Sequence, residues 1–367
     1  MTEKELLLNQ TSRAGPKISD DNSSSLNQEK KFDDTARFLA GLKVDEQSEL
    51  YDLTQTESWK RFSDKANALW AEFRIPEAKM RSWARRELEK CFDPAAPVFY
   101  AFGGPDIAFA DIFLPGAKQY VLVGLESLGS VPRREAITTQ RLEEALPLYV
   151  TALEDLIKLS FFRFLDLEKE LAHPLLNGVI PLMMVVLARM DKETTGVEVG
   201  NLNGEGEFVS EPEESPGRKT AAKIQFRKPG DGTPQILFYF STNLSDGDLQ
   251  KNPAFNKFMQ KYSSRCFSFI KSASYLMHKP YFSMIRKMIL TLSEAILQDD
   301  SAISYRFFDK NIWDISLYGK YEGPIKLFEG DFEQDLFEAY KTPAKPIGFR
   351  FGYSPISNLL LAVKKTE

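Results

Sequence analysis

The chain has 367 residues, 43% hydrophobic and 27% charged, with 28 Phe, 13 Tyr and 4 Trp. That balance supplies a substantial core and excludes a wholly disordered chain. The net charge of -5 comes from 47 basic and 52 acidic residues mixed along the sequence, which argues against a nucleic-acid footprint or a membrane-surface field.

Residues 1–31 are rich in Ser, Asn, Asp, Lys and Gln and predict a disordered tail, because they offer little apolar surface to offset ordering entropy. Leu6-Leu7-Leu8 is too short for the about 7 to 15 apolar residues of an export leader, so the sequence as written reads as cytoplasmic. From Phe32 to residue 93 a helical layer is expected. Trp59, Phe62, Ala66, Leu69, Trp70 and Phe73 recur at three- and four-residue steps. Pro76 suits the first turn of a second helix, with Glu77 at its positive end and Met80, Trp83, Ala84, Leu88 and Cys91 continuing the stripe. Arg81, Arg85 and Arg86 lie between these positions as a solvated face.

Residues 94–367 read as an α/β core. Val98–Phe102 and Tyr120–Leu125 are apolar runs that suit strands buried on both faces, and a helix from Pro105 to Phe113 lies between them as a βαβ unit. A helix is expected over 140–160, and another buried helix or mixed segment over 175–190. The nearly uncharged run Leu175 to Ala188 is shorter than the roughly 18 residues that span a bilayer, and no transmembrane segment is expected. Residues 201–217, rich in Glu, Gly and Pro without Lys or Arg, predict an exposed acidic loop. Ile224 and Phe226 pair with Ile236, Phe238 and Phe240 across Pro229-Gly230-Asp231-Gly232 as an inserted β-hairpin. Cys266–Ile270 is a strand, Tyr281 to about Ala295 a helix and Ile296-Leu297 a strand. Short strands near 313–318, 325–328, 347–353 and 359–363 surround a helix at 332–340. The fold class is therefore α/β, a three-layer Rossmann-like mixed sheet with an N-terminal helical layer.

Ligands of open α/β sheets bind outside the carboxyl ends of the strands. Three such ends carry candidate ligand-binding residues: Gly103, Gly104 and Asp106; Glu126; and the pair Asp299 and Asp300. The glycines allow close backbone approach, while Asp106 repels phosphate and welcomes an amino or sulfonium group. Glu126 follows the glycines at a spacing suited to ribose hydroxyls. A fourth block, Lys271, Ser272, Ser274, Tyr275 and His278, holds candidate catalytic nucleophiles and bases. Cys91 and Cys266 sit far apart in apolar neighbourhoods and offer neither a disulfide framework nor zinc spacing, and His173 beside Pro174 reads as an ordinary loop residue; no metal site is predicted.

The order Phe102 to Asp106, helix, strand ending in Glu126, then the blocks Lys271 to His278 and Gln298 to Ser301, resembles in layout a class I methyltransferase core. That resemblance implies S-adenosylmethionine as cofactor, although the turn here is Gly-Gly-Pro-Asp where such enzymes carry Gly-x-Gly-x-Gly. The region from about Phe32 to Lys364 also resembles an uncharacterised family of bacterial proteins sharing the blocks Gly-Pro-Asp, Gly-Leu-Glu, Lys-Ser-Ala-Ser-Tyr-Leu-Met-His and Gln-Asp-Asp-Ser. Some of those relatives carry export leaders, which implies a periplasmic alternative for the compartment. Three functions are carried forward. One is a small-molecule or nucleoside-binding protein of methyltransferase-like architecture. The second is a non-catalytic interaction or structural protein, and the third a serine-type hydrolase using Ser272 or Ser274 with Lys271 or His278.

Overall fold

A computed structural model describes residues 20–159, 173–212, 214–262 and 265–365. A 10-stranded mixed sheet runs through it in the order β4-β3-β5-β6-β2-β1-β7-β8-β10-β9. The strands are β1 Val98–Tyr100, β2 Gln119–Gly124, β3 Glu193–Leu202, β4 Phe208–Ser210 and β5 Ala221–Arg227. They continue with β6 Gln235–Ser241, β7 Cys266–Ile270, β8 Ser293–Gln298, β9 Trp313–Gly319 and β10 Asn358–Lys364. The five central strands, β6-β2-β1-β7-β8, are mutually parallel, and the pairs on either side of them are antiparallel.

Parallel neighbours need crossovers, and these are helical. The helices are α1 Asp20–Leu39, α2 Tyr51–Thr54, α3 Glu57–Leu88, α4 Ile107–Phe113 and α5 Thr139–Leu159. After them come α6 Val179–Arg189, α7 Asp246–Lys251, α8 Pro253–Tyr262, α9 Ser283–Leu292 and α10 Gln334–Ala339. Alternate residues along a strand enter two separate apolar clusters. Val98, Tyr100, Tyr120 and Leu122 join one with α3, α4 and α6; Phe99, Val121 and Val123 join the other with α7, α8 and α9. Among the described residues no helix is long and apolar enough to cross a membrane.

Several expectations are corrected. The polar composition before residue 31 conceals a helix: α1 begins at Asp20, and its last turns bury Ala36, Phe38 and Leu39 against the first cluster. Residues 1–19 of the expected tail lie outside the described residues. Pro76 does not start a second helix but lies inside the single helix α3. The stripe on both sides of it packs on one core, and that burial outweighs a proline cost of about 3 kcal/mol. Glu77 is consequently mid-helix and buried, hydrogen bonded by Arg81 at 2.8 Å, and Arg81 also reaches Asp111 at 3.4 Å instead of lying on a solvated face.

The stretch 201–217 is not all loop, because β4 pairs with β3 within it. Strand β6 pairs antiparallel with β5 on one side and parallel with β2 on the other, so it belongs to the central set; what extends the sheet is β3, β4 and β5. Helix α9 stops at Leu292 and β8 starts at Ser293. Of residues 325–328, Ile325 caps and the rest fall in the 3-10 segment Lys326–Asp331, with Leu327 79% exposed, so the two-sided burial a strand would need is missing. Residues 347–353 form no strand either. Their alternation comes from rings packed edge-on against helices, Phe349 on Trp83 (5.9 Å) and Phe351 on Phe113 (5.3 Å), without a hydrogen-bond ladder.

Candidate functional site at the carboxyl ends of the strands

Chain direction across the sheet reverses between β1 and β7: from β1 the chain proceeds to β2 and β6 on one side, whereas β7 and β8 lie on the other. The crevice at such a switch point is where doubly wound sheets receive ligands. All four predicted blocks end here, and the backbone is strained at the same place. Phe102 (φ 60°), Ser272 (55°), Ser274 (54°) and Tyr275 (55°) occupy the left-handed region that bulky residues avoid. The Phe102 ring is held edge-on against Phe282, with centroids 5.8 Å apart.

Asp106 caps α4, its Oδ1 accepting from Phe109 N at 3.2 Å, in a turn closed by Asp106 N donating to Gly103 O. Its Oδ2 accepts from Tyr100 Oη at 3.1 Å and lies 2.8 Å from Lys271 Nζ, which arrives from the end of β7. The ammonium also sits 3.2 Å from the centroid of the Phe109 ring. The ion pair therefore bridges the switch point. Burial drives Lys271 below and Asp106 above their ordinary pKa values, against the mutual attraction that opposes both shifts. Desolvation is the larger effect, as expected when two charges leave water together.

Glu126 faces the same turn from the end of β2. Tyr239 Oη on β6 donates to Glu126 Oε2 at 2.8 Å. The β1 and β2 ends approach so closely that a Cβ on Gly124 would stand 2.2 Å from Glu126 Oε2 and 2.8 Å from Gly104 Cα. Gly104 itself has φ +53°, with Glu126 Oε1 3.0 Å from where its Cβ would be. The glycines thus admit a carboxylate of the chain itself.

The two aspartates after β8 turn to different partners. Asp299 accepts from Ser272 N at 2.9 Å through Oδ2, and from Ser301 Oγ at 2.6 Å and Ser301 N at 3.1 Å through Oδ1. Asp300 accepts from Tyr275 Oη and from Asn358 Nδ2 at 2.8 Å, while its own N–H donates to Asn358 Oδ1. Burial raises both carboxyls, and the neighbouring Asp300 raises Asp299 further. Among the described residues no three His, Cys, Asp or Glu side chains converge as a metal ligand set.

In the fourth block, Ser274 Oγ pairs with Tyr353 Oη at 2.8 Å, and Tyr353 Oη in turn donates to Ser272 O at 2.6 Å. Ser272 Oγ is buried without a hydrogen bond. Lys271 is turned to Asp106, while His278 Nε2 lies 3.5 Å from Glu333 Oε1. The structure brings Gly104, Asp106, Glu126, Lys271, Asp299 and Asp300 into one buried polar layer across β2, β1, β7 and β8, with each carboxylate engaged by the chain's own donors.

Sequence reasoning missed Tyr100, Tyr239, Tyr353, Asn358 and Glu333. The first two read as apolar strand positions, and only their hydroxyls, aimed at carboxylates, distinguish them. Nothing local to Glu333 or Asn358 signals a role, since the hydrogen-bond partners of their side chains lie 28 or more residues away. Comparison of the chain with protein-family models, curated proteins and solved structures finds no match.

Proposed function

We propose that this chain is a non-catalytic interaction protein built on a three-layer, Rossmann-like sheet of methyltransferase-like layout. Two features support the layout: the parallel order β6-β2-β1-β7-β8, and β10 inserted antiparallel between β8 and β9. In that arrangement the chain resembles class I methyltransferases. One observation carries the departure from their activity. Lys271 Nζ lies 2.8 Å from Asp106 Oδ2, in the place that the amino or sulfonium group of a nucleoside ligand would take.

Both side chains are 3% exposed or less. An incoming nucleoside would have to expel a buried ammonium from its buried carboxylate and break the Tyr239–Glu126 hydrogen bond as well. Removing one partner of a buried pair costs about 3–5 kcal/mol, more than a few ligand hydrogen bonds return. The layer then serves to fix the strand ends in place, and recognition belongs to surfaces outside the crevice.

The test is calorimetric titration with S-adenosylmethionine and with its demethylated product, paired with thermal unfolding of Lys271→Met. No binding of either compound at high micromolar concentration is expected, together with a loss of about 3–5 kcal/mol in the variant. Binding of either compound, or a Lys271→Met protein as stable as its parent, overturns the reading.

A further inference from the structure

Glu333, just before α10, and His278, at the end of the 3-10 turn Leu276–His278, stand outside the strand-end ion pair. Their side chains are 7% and 9% exposed, and Glu333 Oε1 faces His278 Nε2 at 3.5 Å, yet neither atom makes a hydrogen bond. The other carboxylate oxygen is committed, Oε2 accepting from Ser304 Oγ at 2.6 Å and from Tyr305 N at 2.7 Å. The backbone of Asp300 lies near the imidazole and favours its charged form, against the larger effect of burial. Burial favours the neutral imidazole, and with its proton on Nδ1 the unpartnered Nε2 presents a lone pair. An ionised Oε1 and that lone pair would be two acceptors face to face in a buried site, an arrangement relieved by one proton between them.

The position of Glu333 gives this proton a consequence. Glu333 lines an open cleft of about 360 Å³ together with His278, Lys279, Arg306 and Asp331. It also lines a small cavity of about 10 Å³, room for one water, beside Asp299, Asp300 and Asn358. Glu333 is the one residue common to the linings of the two.

We propose that Glu333 and His278 form a proton-operated gate between the solvent cleft and the Asp299–Asp300 cavity. The gate is closed while one proton lies between Oε1 and Nε2, and it opens when that proton passes to solvent. Burial places the proton on the carboxyl near neutrality, raising Glu333 to about 7 and lowering His278 to about 4. The surrounding charges modulate both groups. Asp331 favours a charged imidazole while Lys279 and Arg306 oppose it, and Asp300 raises the Glu333 carboxyl while Arg306 lowers it. Lys279 is paired with Asp331, Asp335 stands on the cleft wall, and Tyr321 Oη accepts from Glu333 N at 3.0 Å. Opening admits solvent and small polar solutes to Asp300. The inference rests on the local geometry and stands whether or not the crevice at Asp106 accepts a ligand.

Hydrogen–deuterium exchange of the full chain between pH 6 and 8.5, corrected for intrinsic rates, reads the gate at the Tyr305 and Glu333 amides. In the parent, protection is expected to fall by up to about tenfold per pH unit above the midpoint. In Glu333→Gln the side-chain amide donates to Nε2 at every pH, and protection should stay level. His278→Gln places a donor opposite the carboxylate and should stay level too, so it reads the gate if Glu333→Gln fails to fold. Constant protection in the parent, or the same fall in the variants as in the parent, overturns the proposal.

Discussion

At the scale of single residues, Glu333 and His278 should write opposite signatures into the pH dependence of stability. Burial raises the folded-state pKa of Glu333 from 4.5 to about 7. Between those values the folded chain keeps a proton that the unfolded chain has released, so the contribution is whole below pH 4.5 and lost as pH rises through 7. Burial lowers His278 from 6.5 to about 4, and its contribution is whole above pH 6.5 and lost as pH falls through 4. The two slopes oppose each other in the overlap, and in the parent they largely cancel there. Relative to the parent, Glu333→Gln should gain stability as pH rises from 4.5 to 7, whereas His278→Gln should lose it between 4 and 6.5, each by on the order of 2–3 kcal/mol. Urea midpoints at fixed m-value across this range measure both, and slopes of one sign in the two variants would contradict the assignment.

At the scale of elements, what the sequence revealed and what it hid follow from the range of the interactions involved. Val98 to Tyr100 and Tyr120 to Val123 were legible because burial on both faces leaves a continuous apolar run. Helix α3 was legible from its stripe, but Pro76 suggested a boundary that tertiary packing overrides. The candidate residues were locatable as strand ends; their partners were not, because Asp106 meets Lys271 and Asp300 meets Asn358 through chain reversals that no local pattern encodes. Segment 347–353 shows the opposite failure, a period of two produced by rings packed on α3 and α4. Pro76 itself yields a prediction. It is partly exposed in the middle of α3 and removes a helical hydrogen bond there, so Pro76→Ala should stabilise the protein by about 1–3 kcal/mol, raising the thermal midpoint. A lower midpoint would mean that the helix needs the distortion proline imposes in order to follow the sheet.

At the scale of the molecule, the N-terminal helices and the sheet share one apolar cluster and should not melt apart. Trp83 on α3 lies 5.8 Å from Phe113 on α4 and 5.0 Å from Tyr318 on the edge strand β9, while Phe73 meets Phe109 at 6.1 Å. Lifting α3 would therefore uncover rings contributed by three other segments of the chain, Phe349 included. The same sheet covers the second cluster on its opposite face, so loss of strand pairing opens both. Three of the four tryptophans, Trp59, Trp70 and Trp83, are buried on α3 and the fourth, Trp313, is buried on β9. Trp313→Phe then makes intrinsic fluorescence a reporter of α3 alone. Its urea transition should coincide in midpoint and steepness with the loss of far-ultraviolet circular dichroism, as one cooperative unit requires. A fluorescence transition at distinctly lower urea would show α3 leaving first and would divide the chain into a detachable helical layer and an independent sheet.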